Sequence, residues 1–224
     1  MYQAATERLK PKADKQKMPS GDKKILRAIA EFLFLAVLIS AIPMLVAIDS
    51  KISGHGVIEF SFTEITQATL ILGCTISFGS LALKHENSRG CMVLIAGFFG
   101  CMFIRELDSL LDRIVHGFWV YPATILAATS IIYSTRLPGT VRRPALNAIG
   151  SKAYTYITIG LLVLLFFSRV FGTGQLWSAV MVENYSTDYR QVIQEGIELL
   201  GYILIAYGSA VFYHEKHAPA VLPT

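Results

Sequence analysis

The sequence predicts an all-α, polytopic integral membrane protein, a bundle of about six transmembrane helices with both termini in the cytoplasm. Three observations predict it. Of 224 residues, 53% are apolar and only 16% charged, and the mean hydropathy is +0.50, too apolar for an ordinary soluble domain and unlike a nucleic-acid-binding chain. Apolar runs of about 20 residues, the length that crosses roughly 30 Å of hydrocarbon, recur along the chain. Lys and Arg are spread unevenly over the segments between those runs.

Residues 1–24 form a basic, polar cytoplasmic tail containing Pro11, Pro19 and Gly21. Its default role is a topology signal, and its Lys residues are placed to touch anionic headgroups. The long polar leader and a first apolar run of about 23 residues argue against a cleaved signal peptide. Residues 25–217 form the transmembrane domain, and 218–224 a short C-terminal tail.

Six spans fit this domain: about 26–48, with Pro43 as an expected kink; 64–83; 91–111, its helix continuing to His116; 118–135; 153–171; and 191–213. With the N-terminus inside, the inner segments hold the cluster from Arg8 to Arg27 together with Lys84, Arg89, Arg136, Arg142, Arg143, Lys152 and Lys216. Only Lys51, Arg105, Arg113, Arg169 and Arg190 remain outside. That excess assigns both termini to the cytoplasm, and we read the location as a bacterial inner membrane.

Cys74, Cys91 and Cys101 lie in or beside spans without CxxC or Cys/His spacing, as small core residues do. Asn184 heads a formal glycosylation sequon in an outer loop, meaningful only in a eukaryotic secretory setting. The "GFFG" at 97–100 fits a close helix crossing better than a binding motif. No G-x-S-x-G, phosphate-binding lysine loop, dinucleotide fingerprint or HExxH occurs, so no motif indicates a cofactor.

The unusual stretch is "GCMFIRELDSLLDRIVHGFW", residues 100–119. Counted at 1.5 Å per residue, Arg105 falls roughly 9 Å below the outer hydrocarbon edge, with Glu106 and Asp108 also submerged. At 100° per residue, Arg105, Glu106, Asp108, Ser109, Asp112, Arg113 and His116 share an arc of about 160°, which should face the bundle. On the sixth span, Gln191, Glu195, Glu198, Tyr202, Ser209 and Tyr213 form a polar stripe within about 60°. Glu64 and Arg169 reach the same depth on the second and fifth spans.

Three functions are compatible with such a cluster. Arg105 and Arg169 can act as charge partners in an ion-pair network that fixes helix order, the property of a non-catalytic scaffold or assembly subunit. Glu64, Glu106, Asp108, Asp112, Glu195 and Glu198 outnumber the arginines, and desolvated acids left over after pairing can hold a proton or cation. Asp112 and His116 at i, i+4, with Glu195 and Glu198 at i, i+3, have spacings that can share a metal ion in a membrane-embedded enzyme acting on lipid or a small molecule. His55 is within reach of this end, whereas His214 and His217 belong to the opposite side. The second function is favoured over the scaffold and the enzyme, which stay as alternatives: a small membrane protein that binds or passes a proton, cation or small polar solute. Its partners are the lipid bilayer and a membrane protein or a second copy of the chain. An inverted repeat of three plus three spans is disfavoured, because the charged parts of spans three and six lie at the same face.

Overall fold

The computed structural model describes residues 20–53, 61–182 and 187–217. Among them there are helices and turns but no strand. The helices are α1 (Ser20–Ser53), α2 (Phe62–Lys84), α3 (Arg89–Glu106), α4 (Asp108–Leu111), α5 (Val120–Thr135), α6 (Arg142–Ile149), α7 (Lys152–Leu162), α8 (Ser168–Phe171), α9 (Gly174–Met181) and α10 (Thr187–His217). A π-helical turn, Val163–Phe167, joins α7 to α8. Five stretches are long and apolar enough to cross a membrane: Gly21–Asp49, Phe62–Lys84, Glu86–Glu106, Lys152–Phe171 and Tyr189–Lys216. The fourth expected span is α5, whose 16 residues reach about 24 Å at 1.5 Å per residue.

The chain divides between Val37 and Leu38 into two units. The described part of the first is the start of α1, whose Ile25, Leu26, Ile29, Phe32, Leu33 and Val37 are all exposed. A helix that exposes so continuous an apolar face is suited to lipid rather than water. Pro43 lies within α1 without ending it.

In the second unit the neighbouring helices run in the order α5, α3, α2, α10, α7. The core is built where α2, α3 and α10 meet: Phe78 stacks between Phe99, at 5.6 Å, and Phe212, at 5.4 Å, with Ile71, Leu81, Met92 and Ile205 filled in around them. A smaller cluster joins Ile42 and Val46 of α1 to Leu199 and Ile203 of α10.

Small residues at a helix contact let the two backbones approach closely. Between α7 and α10 they do so. A Cβ on Gly160 would meet the Gly201 carbonyl oxygen at 2.8 Å, and one on Gly208 would meet the Ala153 carbonyl oxygen at 2.9 Å. Ala153 and Gly160 are seven residues apart, as are Gly201 and Gly208, so each pair returns to one face after two turns. The glycines of "GFFG" work in the same way against α5, where Gly97 meets Ser130 and Gly100 meets Leu126. Ser134 of α5 donates to the Gly90 carbonyl of α3 at 2.9 Å, an interhelical bond that the short approach permits.

The entry to α2 is specified locally and from a distance. Ser61 and Glu64 form a reciprocal capping box. Asp49, at the end of α1 and only 7% exposed, accepts from the Phe62 and Thr63 backbone N–H groups, each at 2.8 Å, and from the Thr63 hydroxyl. A carboxylate on the first N–H groups of a helix satisfies orphan donors and meets the positive end of its dipole.

Candidate functional site

The starts of α2, α4 and α10 and the ends of α3 and α8 converge at one end of the bundle. They enclose a cleft of about 220 Å³ lined by Glu64 and Gln67 of α2, Arg105 and Glu106 of α3, Asp108 and Ser109 of α4, Arg169 of α8, and Gln191, Gln194, Glu195 and Glu198 of α10. Five carboxylates therefore face two guanidinium groups. An adjoining cavity of about 240 Å³ shares Glu64, Glu106 and Ser109 and is otherwise lined mainly by apolar side chains of α2 and the α3–α4 turn.

The floor of the cleft is hydrogen-bonded. Tyr202, 1% exposed, donates its hydroxyl to Glu106 Oε1 at 2.5 Å, and the same oxygen accepts from Arg105 at 3.1 Å. Gln67, also 1% exposed, donates its amide to the Glu195 carbonyl at 3.2 Å. These bonds join α3 and α2 to α10. Below them the polar stripe of α10 is packed: Ser209 donates to its own helix at Ile205, and Ala206 lies against the apolar core. At the far end, Lys84 donates to the Tyr213 hydroxyl at 3.3 Å.

The walls are less satisfied. Glu198 Oε1 accepts from Gln194 at 3.0 Å, and Glu64 Oε2 accepts from the Ser61 N–H. The Glu195 side chain makes no hydrogen bond or ion pair with a described residue, and its charged neighbours are Glu64, Asp49 and Glu198. Three negative groups thus surround a fourth, an arrangement that a bound proton or cation relieves.

The structure corrects the expected continuous helix to His116. Helix α3 ends at Glu106, where the Leu107 N–H closes a tight turn on the Ile104 carbonyl, and Asp108 starts a separate four-residue helix. A helical wheel drawn through Leu107 therefore fails for the residues after it. Asp112 turns to its own loop, accepting from the Gly117 N–H at 2.9 Å and pairing with His116 Nδ1 at 3.0 Å. The His116 side chain is 99% exposed. Asp112, Arg113 and His116 are absent from the cleft lining, as is Arg190.

The expected metal set of Asp112, His116, Glu195 and Glu198 is accordingly not assembled, and no group of three His, Cys, Asp or Glu among the described residues is placed to hold a metal ion. His55 and Asn184 lie outside the described residues. Cys74 and Cys91 are buried and Cys101 partly so, all as free thiols. The sequence reading missed Asp49 and Gln67, although Asp49 ends the first apolar run and Gln67 lies one turn past Glu64, on its face of the helix.

No protein-family model matches this chain, and no curated protein or solved structure is significantly similar to it.

Proposed function

We propose that this protein is a six-span inner-membrane protein that binds, and in a second conformation passes, a proton, cation or small cationic solute at an acidic cleft on its outer face. The observation that carries it is the cleft itself, where, among the described residues that line it, Glu64, Glu106, Asp108, Glu195 and Glu198 face Arg105 and Arg169. Arg105 is already engaged by Glu106. Carboxylates gathered in a half-enclosed space repel one another, and a cation entering from water removes that repulsion.

Six crossings are supported by chain direction. Arg105 near the end of α3 and Arg169 of α8 line one cleft, so the chain between them must return across the bundle, and α5 is the helix available to carry it. Trp119, before α5, and Trp177, after α8, fit the aromatic belt at that face. The excess of Lys and Arg at the opposite end supports cytoplasmic termini.

Packing of the α10 stripe below Tyr202 favours a closed binding state over an open pore. Passage would require the Tyr202–Glu106 bond to part. A scaffold is the second reading, favoured by the same Tyr202–Glu106–Arg105 network, which by itself holds α3 to α10.

The test is thermal unfolding of the purified protein in detergent, titrated with sodium, calcium and a small organic amine, for wild type and Glu195→Gln. Stabilisation of wild type by one of these cations, reduced in the variant, supports binding. Identical responses in both proteins refute it. Proton and cation flux in liposomes, at background for wild type and for Glu198→Gln alike, would remove the transport arm and leave the scaffold.

A further inference from the structure

A third cavity lies at the other end of the bundle and is apolar. Helices α3 and α7 stand apart as its two walls, with Leu94 and Phe98 on one and Ile157 and Leu161 on the other, while Phe78 of α2 and Phe212 of α10 form the floor. Its volume is about 300 Å³. It is lined from Ser151, the residue before α7, to Leu161 near its end, a rise of about 15 Å, or half of a hydrocarbon thickness of about 30 Å.

The end of the groove lined by Ala148, Ser151 and Phe212 is basic. Lys216 Nζ lies 5.6 Å from the centroid of the Phe212 ring, so a cation is anchored on a residue of the groove floor. Lys152 follows the lining residue Ser151, and α6, which contributes Ala148 to the lining, begins with exposed Arg142 and Arg143. Of the acids at this end, Glu86 is paired with Arg89 at 3.2 Å, and Glu215 is exposed beside Lys216.

We infer that this groove is a binding site for one acyl chain of an anionic membrane phospholipid, with its phosphate on the basic rim around Lys216. Charge selects the occupant. A second copy of the chain packed isologously on this face would bring Lys216, Arg142 and Arg143 toward their own symmetry mates. A phosphate-bearing lipid meets the same cations with opposite charge, and a groove half a bilayer deep fits a chain descending from that headgroup. The inference is independent of the acidic cleft, which lies at the opposite end of α10.

Native mass spectrometry of the full chain in mild detergent tests it, using equimolar phosphatidylglycerol and phosphatidylcholine with identical acyl chains. Wild type should retain one phosphatidylglycerol per chain in preference to phosphatidylcholine. Lys216→Gln should reduce that preference about five-fold, the worth of one basic side chain near a membrane surface. Thr158→Trp, which fills the groove, should abolish retention of either lipid, and Leu94→Trp from the opposite wall provides the same reading if Thr158→Trp does not melt like wild type. Equal retention of the two lipids by wild type, or a preference that survives both the Lys216 and the groove-filling changes, overturns the inference. So does a bound second chain that is lost on filling the groove, which would assign this face to self-association.

Discussion

Tyr202 in the middle of α10 donates its hydroxyl to Glu106 Oε1 at the end of α3, at 2.5 Å. The two residues are 96 positions apart, and the bond forms the floor of the acidic cleft and ties α3 to α10. Glu106 has a side chain only 9% exposed, so its charge depends on Tyr202 and Arg105 for the hydrogen bonds that water would otherwise supply.

Removing that hydroxyl should therefore be costly. Tyr202→Phe is expected to destabilise the folded protein by about 1.5 to 3 kcal/mol, the range for a hydrogen bond to a charged group. The pair is isolated by a double-mutant cycle with Glu106→Gln, read by unfolding in detergent. Additive effects of the two changes would show that the bond contributes nothing to stability.

At the α7–α10 contact, size alone should decide the outcome. Gly160→Val places carbon atoms against the Gly201 carbonyl and Ile205 and is expected to cost at least about 1 to 3 kcal/mol through overpacking. Gly73→Ala is the matched control, because a Cβ there meets nothing within 4 Å. It should change stability by less than about 1 kcal/mol. Equal losses at both positions would mean that the close approach is not what holds α7 to α10.

Asp49→Ala leaves the Phe62 and Thr63 N–H groups without their acceptor. A loss of about 1 to 2 kcal/mol is expected, the upper range for removing a helix cap. Amide hydrogen exchange at Phe62 and Thr63 should accelerate while exchange in the middle of α2 stays slow. Unchanged protection at both amides would show that the Ser61–Glu64 capping box suffices.

His116→Ala separates the cleft from the loop beside it. Because the imidazole is almost wholly exposed and does not line the cleft, cation-dependent unfolding of this variant should match wild type. Glu195→Gln should differ in the same assay. A His116→Ala protein that loses its cation response would place the binding site in the α4–α5 loop instead.

The all-helical fold, the long apolar runs that became α1, α2, α3, α7 and α10, and the gathering of Glu64, Glu106, Glu195 and Glu198 at one level were legible from residue order alone. Apolar runs and residue rise are local quantities, and a count along each helix places a charge at a depth without knowledge of its neighbours. The count failed at Leu107, where the backbone leaves the helix and Asp112 and His116 turn to each other. It also passed over the seven-residue spacing of Ala153 with Gly160 and Gly201 with Gly208, which was present in the sequence.

What the sequence determined by itself is that the chain is helical, that its apolar runs include several long enough for a bilayer, and that acids and arginines collect near one end; that five helices rather than six have that length was decided by the structure. Which groups meet was decided by tertiary structure. Tyr202 reaches Glu106, Gln67 reaches the Glu195 backbone, and Asp49 reaches the start of α2 only because particular helix pairs pack in particular registers. Those registers depend on small residues and buried hydrogen bonds between distant segments, and no count along a single helix contains them.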